Sequence, residues 1–227
     1  MNLNELLLQQ TNVHVIDATM PYDRFESLDL SIGNPEVTSE LVSDSMAFST
    51  FIDHFIDSRK ALAAYGGYLE KRQLYKRSDL FNEESEPERD IHIGLDIWAE
   101  AGTSVLAALD GKIHSFDYNA GKGDYGPTII LEHTIEGHSF FTLYGHLSIE
   151  SIENIEIGDT VQKNQQIGEV GDASVNGDYP PHLHFQIISD LEDYFGDYPG
   201  VCSEDDLDYY KNNCPDPNLL LQIKPTL

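Results

Sequence analysis

We base the fold prediction on one stretch of the sequence, Pro181-His182-Leu183-His184-Phe185-Gln186-Ile187-Ile188. Residues i and i+2 share one face of a β-strand, so both imidazoles can reach one point while Leu183 enters the core. The apolar residues that follow support the same assignment. The sequence therefore predicts a core strand over residues 182–188 with two histidines on one face.

Short β-type runs separated by glycine turns precede this strand, at residues 112–116, 128–133, 139–143 and 166–170. Such spacing is typical of a β-sandwich or barrel. Gly102-Thr103-Ser104-Val105 and Gly158-Asp159-Thr160-Val161 also echo each other, which suits a half-barrel repeated once. We therefore expect a mainly β, antiparallel, two-lobed sandwich or half-barrel with a partly helical amino-terminal extension.

The segments outside these strands differ from them in composition and in predicted structure. Residues 45–76 follow a helical pattern that the pair Gly66-Gly67 interrupts, and we expect its apolar stripe to be core. The predicted organisation is an extension at 1–80, an acidic linker at 81–90, the β domain at 91–190 and an acidic tail at 191–227 packed on that domain. Turn residues at 214–218 are expected to stop any helix there.

The charge is strongly negative and unevenly spread. Forty acidic residues against 13 basic ones give a net charge of −27, and residues 91–227 contain no arginine. Such a surface repels phosphate backbones, so we expect neither nucleic-acid binding nor binding to an anionic membrane. A cleft in the second part would favour neutral or cationic ligands.

The expected cellular location, and with it the redox state of the two cysteines, rests on two features that the sequence lacks. No stretch approaches about 18 apolar residues, and the amino terminus lacks a basic signal-peptide region. We therefore expect a cytoplasmic protein, or a periplasmic or secreted one only if a leader was removed. Cys202 and Cys214 could form a disulfide, but two reduced thiols are the favoured state in the cytoplasm.

Seven of the nine histidines lie between positions 92 and 184. Three motifs stand out: His92-Ile93-Gly94-Leu95-Asp96, Tyr144-Gly145-His146 and His182-Leu183-His184. His92 and Asp96 would lie about 13 Å apart in a straight strand, so they can share a metal only if the chain bends, and Gly94 permits a bend. Two histidines plus one aspartate leave a fourth zinc position for water, and two further histidines could then act in proton transfer and oxyanion stabilisation.

Single residues of this kind usually have ordinary roles. Histidines 14, 54, 114, 133 and 138 are expected to be capped or half-exposed strand and helix residues, and Asp96 alone would be a turn aspartate. The joint occurrence of the three motifs is what points to a metal site.

Residues 92–186 resemble the lysostaphin/LytM-type zinc metallopeptidases. The family pattern H-x-G-x-D is matched by His92-Ile-Gly-Leu-Asp96, and its tyrosine-glycine turn by Tyr125-Gly126-Pro127. Its later motifs are similar to Tyr144-Gly145-His146-Leu147, Gly158-Asp159-Thr160-Val161 and Pro181-His182-Leu183-His184-Phe185-Gln186, in the family order. The approach to the last motif, Asn176-Gly177-Asp178-Tyr179-Pro180, is bulkier than the family's small residues.

The resemblance implies a duplicated hybrid-motif β fold and one Zn²⁺ per chain. It assigns the metal to His92, Asp96 and His184, and the acid–base and transition-state roles to His146 and His182, without saying which does which. It implies a metalloendopeptidase acting on a peptide or muropeptide-like substrate.

Two other functions stay open. One is a metal-binding but peptidase-inactive regulatory module of the same fold, and the other is a histidine phosphocarrier of the glucose type. The flanks at 64–70, 126–133 and 214–219 further resemble a cytoplasmic subgroup in which this domain lies between kinase and aminotransferase domains. The amino-terminal segment is also expected, as a hypothesis, to cover the site. Oligomeric state is not predicted.

Overall fold

A computed structural model describes residues 1–77 and 87–224 of the chain. Most of the predicted acidic linker at 81–90 lies outside the described residues, so the division of the chain at that linker stays a prediction. The described strands are β1 Phe25–Ser27, β2 Ala63–Gly66, β3 Glu70–Lys71, β4 Ile91–His92, β5 Leu95–Trp98, β6 Ser104–Leu106, β7 Gly111–Asn119, β8 Gly126–Ile135, β9 His138–Gly145, β10 Thr160–Val161, β11 Gln166–Glu169, β12 His182–Ile188 and β13 Val201–Cys202. The α-helices are α1 Leu3–Leu8, α2 Ser39–Ser43, α3 Ser45–Arg59, α4 Leu207–Asn213 and α5 Asn218–Leu221, and short 3-10 helices cover Tyr22–Arg24, Leu74–Arg77 and Ile149–Ile152.

Eight strands form one sheet in the order β1-β2-β5-β12-β9-β8-β7-β10. All neighbours in it are antiparallel except β1 and β2, which are parallel. Two smaller sheets pair β11 with β6 and place β4 between β13 and β3. The expected mainly β, antiparallel fold is therefore confirmed.

Strand β12 lies inside the large sheet and is buried along its whole length. Leu183, Phe185 and Ile187 point into the main hydrophobic cluster, together with residues of β5, β8 and β9. The alternation of a strand then directs His182 and His184 to the opposite face, as their spacing predicted. In this register His184 pairs with Asp96 of β5 on one side and with Gly145 of β9 on the other.

The amino-terminal segment joins the same sheet through β1 and β2. The helical prediction for residues 45–76 is correct over Ser45–Arg59 and wrong beyond it. Helix α3 begins at Asp44, whose carboxylate accepts hydrogen bonds from the backbone of Met46 and Ala47, and it ends where Lys60 adopts a left-handed backbone (φ 55). Ala64 is then fully buried opposite Trp98 in a strand, so tertiary pairing overrides the helical preference of alanine.

The apolar stripe of α3 is core, as expected. Phe48 and Ile52 are buried in a second hydrophobic cluster that also contains Ala64 and Trp98, and Phe51, Phe55 and Ile56 pack against it. This cluster anchors the helix over strands β2 and β5.

Several residues between 201 and 223 also pack on the β fold. Strand β13 pairs with β4, and α4 ends at Asn213, directly before the cysteine-proline pair. The prediction that no helix forms around residues 214–218 holds until Asn218, where the short helix α5 begins. Cys202 and Cys214 are both buried and are not joined by a disulfide, and their redox state in the cell stays a prediction.

Within the described residues, no helix combines the length and the apolar character needed to cross a membrane.

Candidate metal centre

Three predicted ligand residues lie together at the junction of the sheets. His92 Nε2 is 2.9 Å from His184 Nδ1, and Asp96 Oδ1 is 3.3 Å from the first atom and 3.2 Å from the second. All three side chains are buried. Two imidazole nitrogens and a carboxylate oxygen, mutually about 3 Å apart, are a donor set that suits zinc.

A break in the strand brings His92 and Asp96 together. Strand β4 belongs to the small sheet and β5 to the large one, so the chain changes sheets between residues 92 and 95. Gly94 is needed for close approach, because a Cβ there would lie 2.4 Å from Cε1 of His184. The expected bend is present, and the missing side chain also makes room for the ligand imidazole.

The second ring nitrogen of each histidine ligand candidate is held by an oxygen acceptor. His92 Nδ1 donates to the carbonyl of Gly67 at 2.9 Å, and His184 Nε2 donates to Oε1 of Gln186 at 2.9 Å. The amide nitrogen of Gln186 in turn donates to the carbonyl of Pro199 at 3.1 Å. These contacts fix both tautomers, so that His92 Nε2 and His184 Nδ1 are the unprotonated atoms that face each other.

His146 and His182 are oriented in the same manner. His146 Nδ1 donates to the carbonyl of Asn176 at 2.9 Å, and His182 Nδ1 donates to that of Pro180 at 2.7 Å. Their ring centroids are 4.2 Å apart, and His182 Nε2 is 3.9 Å from Asp96 Oδ1. His146 adopts a left-handed backbone (φ 62), a costly conformation that aims its ring towards the other histidines. The structure thus brings all five predicted site residues into one cluster.

The electrostatics of the cluster favour neutral imidazoles and a charged carboxylate. Burial lowers the pKa of His92 to about 4 and also lowers that of His182. Burial and the two neighbouring histidines hold the pKa of His146 well below its usual value. Burial raises the pKa of Asp96, but His92, Arg72 and its hydrogen bonds outweigh that effect and hold it well below its usual value. Neutral imidazole and ionised carboxylate are the forms that bind a metal.

Residues 67–72, which we call the strap, supply contacts that the sequence motifs did not reveal. Arg72, whose side chain is 1% exposed, donates through Nη1 to Asp96 Oδ2 at 2.6 Å and through Nε to Glu70 Oε2 at 2.6 Å. The strap is also the source of the Gly67 carbonyl that holds His92. The sequence signal for its contact with Asp96 was an arginine two residues after a glutamate, which is too common to identify a site.

The cluster lies in a cavity of about 230 Å³. The cavity is lined by the three ligand candidates, His146 and His182, by Tyr125, and by residues of the amino-terminal segment that include Leu30, Phe48 and Tyr75. The Tyr125 hydroxyl is 3.4 Å from His184 Nε2, a position that its turn motif alone did not predict. The amino-terminal segment therefore forms part of the cavity wall.

The other histidines lie outside the cluster, as His133 illustrates, although it is buried and not half-exposed as expected. His133 is buried and bonds the carbonyl of Asp110 at 2.9 Å and the hydroxyl of Thr142 at 2.7 Å. Neither it nor histidines 14, 54, 114 and 138 line the cavity.

Comparison with known proteins identifies the part of the chain that carries this cluster. Residues 90–194 match the model of peptidase family M23. An uncharacterised metalloprotease of Haemophilus influenzae is 34% identical over 95 residues, which are 42% of this chain and 18% of that protein. The peptidoglycan DD-endopeptidase ShyC of Vibrio cholerae is 32% identical over 98 residues, which are 43% of this chain and 20% of that protein.

The chain thus spans about a fifth of the length of each of these relatives. Among solved structures, the catalytic domain of the antimicrobial peptidase lysostaphin from Staphylococcus simulans is 29% identical, with a TM-score of 0.37 and coverage of 54% of this chain and 80% of that one. The family match includes all five predicted site residues: His92 in β4, Asp96 in β5, His146 directly after β9, and His182 and His184 in β12. Residues 90–194 therefore match peptidase family M23, and over that part of the chain the resemblance to the lysostaphin/LytM-type peptidases is confirmed.

Proposed function

We propose that this chain is a zinc-dependent hydrolase that cleaves an amide bond in a short peptide or a peptidoglycan fragment. The observation that carries the proposal is the group of buried donor atoms of His92, Asp96 and His184, which lie within 4.8 Å of one another. His146 and His182 lie beside that group in the same cavity, so metal binding and proton transfer would take place in one site.

The ligand set assigned to zinc is His92 Nε2, Asp96 Oδ1 and His184 Nδ1. Zinc bound there would supply Lewis acidity, which activates water near neutral pH and polarises a carbonyl oxygen. The protein preorganises these three atoms as ligands, because the Gly67 carbonyl and the Gln186 amide fix the tautomers of both imidazoles.

His146 and His182 are assigned to proton transfer and to stabilising the oxyanion. Each holds its Nδ1 proton on a backbone carbonyl, so Nε2 is the atom left to accept or donate a proton in the cavity. Because burial keeps the pKa of both rings below the usual value, both are neutral at pH 7, and a neutral imidazole can accept the proton of the attacking water. The proposal does not assign one role to each ring.

The substrate class is a finer proposal. The peptidoglycan-cleaving name of one relative supports testing muropeptides, and the acidic surface favours neutral or cationic ligands over polyanions. A cytoplasmic location, expected from the sequence, would make a soluble fragment a better candidate than intact peptidoglycan, and that location stays a prediction.

The test is hydrolysis of short peptides and cross-linked muropeptides by the full chain loaded with zinc, with products identified by mass spectrometry. We expect cleavage of an amide bond that stops when a chelator removes the metal. His146→Ala should lose the activity, whereas His138→Ala should keep it, because His138 is exposed at the start of β9 and does not line the cavity.

A chain that binds one zinc and cleaves none of these substrates would contradict the hydrolase proposal and favour the binding-module alternative. A chain that accepts phosphate on a histidine without any metal would favour the phosphocarrier.

A further inference from the structure

Arg72 lies outside the residues that match the peptidase family, yet it binds the carboxylate of the metal centre. We propose that Arg72, held by Glu70, is a positioning residue that fixes Asp96 as a one-oxygen metal ligand. This inference rests on the proposed function only in taking His92, Asp96 and His184 as the metal ligands.

The two oxygens of Asp96 have different partners. Oδ2 accepts a hydrogen bond from Arg72 Nη1 at 2.6 Å. Oδ1 faces the imidazoles, at 3.3 Å from His92 Nε2 and 3.2 Å from His184 Nδ1. The ion pair therefore turns one oxygen away from the ligand nitrogens and directs the other towards them. A charge-assisted contact of this length also fixes the carboxylate plane.

Arg72 is itself held from several directions. Its Nε donates to Glu70 Oε2 at 2.6 Å, and Oε1 of the same glutamate accepts a hydrogen bond from the backbone of Leu30 at 3.0 Å. The backbone of Arg72 donates to the carbonyl of Asp90 at 2.8 Å, which continues the pairing of β3 with β4. Its guanidinium lies over the ring of Trp98, 5.8 Å from the centroid. The side chain thus has a single position set by the fold.

The strap couples Arg72 to the ligand His92 as well. A Cβ at Gly67 would lie 1.9 Å from Arg72 Nη2 and 2.8 Å from His92 Nδ1. The backbone there has φ +104, a conformation that favours glycine. Close packing of this glycine lets one strap position the carboxylate of Asp96 through Arg72 and the imidazole of His92 through its own carbonyl.

An arginine suits this role better than other side chains. Its planar fork can bond two carboxylates at once, whereas a lysine offers a compact charge on a flexible stem. Among the residues that the structure describes, Arg72 Nη2 has no hydrogen-bond partner although it is buried, so the side chain is placed for its Nε and Nη1 contacts at the cost of a third. A guanidinium has only donors, so Arg72 cannot replace a metal ligand, and it leaves Oδ1 to the metal.

The test compares zinc affinity, measured by competition with a chromophoric chelator, in the full chain and in Arg72→Gln, Arg72→Lys and Glu70→Gln. Loss of an outer partner of a metal ligand typically weakens metal binding by about 10–100-fold. We expect that loss for Arg72→Gln, a smaller loss in the same direction for Glu70→Gln, and partial recovery in Arg72→Lys. Arg59→Gln is the matched control, since that arginine is exposed over Phe55, and it should bind zinc as the wild type does.

Melting temperatures with and without zinc separate positioning from simple stability. If Arg72 were merely structural, its replacement would lower both melting temperatures equally. If it is a positioning residue, its replacement reduces the increase in melting temperature that zinc produces, because that increase follows the zinc affinity. If Arg72→Gln does not fold, Glu70→Gln carries the test, since it keeps the arginine and loosens its support.

Zinc affinity in both variants within about twofold of the wild type would overturn the proposal. Tighter binding in Arg72→Gln would also overturn it, because Arg72 would then compete with the metal as part of a covering segment. A wild-type chain that binds no zinc would contradict the metal centre and the inference together. A chain that binds zinc but hydrolyses nothing would contradict the proposed function alone.

Discussion

Strand β12 and the strap reach the same carboxylate through its two different oxygens. From β12, His184 lies 3.2 Å from Asp96 Oδ1, and from the strap, Arg72 binds Oδ2 at 2.6 Å. Strand β12 carries two closely spaced histidines, and that spacing indicates a metal site. The strap carries an ordinary stretch of sequence with one glycine and three ion-pairing side chains, Glu70, Lys71 and Arg72. The ligands of a metal site can therefore be predicted from a sequence motif. The groups that orient those ligands cannot, because their position depends on which strands pair.

The largest effect is expected when a metal ligand that the sequence motifs predicted is removed. His92→Ala or Asp96→Ala removes one of three ligands. A third of the about 10–16 kcal/mol that zinc supplies to structural sites is about 4 kcal/mol, which is about a thousandfold in affinity. We expect zinc binding to weaken by about that factor and hydrolysis to fall to background, as measured by chelator competition and substrate turnover. Unchanged zinc affinity in either variant would remove that residue from the ligand set.

The second prediction separates the roles within the motif. His146→Ala and His182→Ala should keep zinc while the turnover number falls by about 10²–10⁴-fold, because each removes a proton-transfer group and no ligand. Metal analysis and steady-state kinetics on the same preparations check both halves. Loss of zinc from either variant would contradict the division between ligands and proton-transfer residues.

The third prediction tests the strap without removing any charge. Gly67→Ala places a methyl group against Arg72 and His92, so we expect zinc affinity to fall by about tenfold. Gly137→Ala is its matched control, because Gly137 also has a positive φ (+82) but has nothing within 4 Å of the added Cβ. Both variants should lose about 1–2 kcal/mol of stability from the left-handed backbone, Gly67→Ala should lose more because its methyl group also meets Arg72, and only Gly67→Ala should lose zinc affinity. Equal zinc affinities in the two variants would contradict a role for the strap at the metal.

The last prediction concerns a buried histidine away from the metal. Burial lowers the pKa of His133 from 6.5, so below that pH the unfolded chain takes up a proton that the folded chain refuses. Stability therefore falls as the pH drops from 6.5, by up to about 2 kcal/mol at pH 5 for a fully neutral ring. Denaturant unfolding of the metal-free chain between pH 7 and 5 should show a flatter pH dependence in His133→Gln than in the wild type. An unchanged slope in His133→Gln would refute the prediction.

The sequence was sufficient for the side of the site that local periodicity controls. The i, i+2 spacing of His182 and His184 places both on one face of β12, and the strand prediction there has the bounds that the structure has. His92 and Asp96 required a bend, and the chain does change sheets between them. The family motifs then placed His146 in the same cavity.

The strap could not be predicted, because its function depends on non-local pairing. Residues 60–76 carry alanine, leucine and lysine in a pattern that favours a helix, and that interpretation hid β2 and β3. The helix ends at Lys60 without a glycine, and only the pairing of β3 with β4 brings Arg72 to Asp96. Tyr125 was missed for a similar reason, since its hydroxyl meets His184 across 59 positions of sequence.

The most direct test of the central claim is the zinc content of the untagged full chain and of His184→Ala, measured by mass spectrometry on protein purified without added metal. We expect about one zinc per wild-type chain and almost none in the variant, because the variant lacks the donor that His92 and Asp96 face. Full occupancy in His184→Ala, or a folded wild-type chain that takes up no zinc on titration, would contradict it.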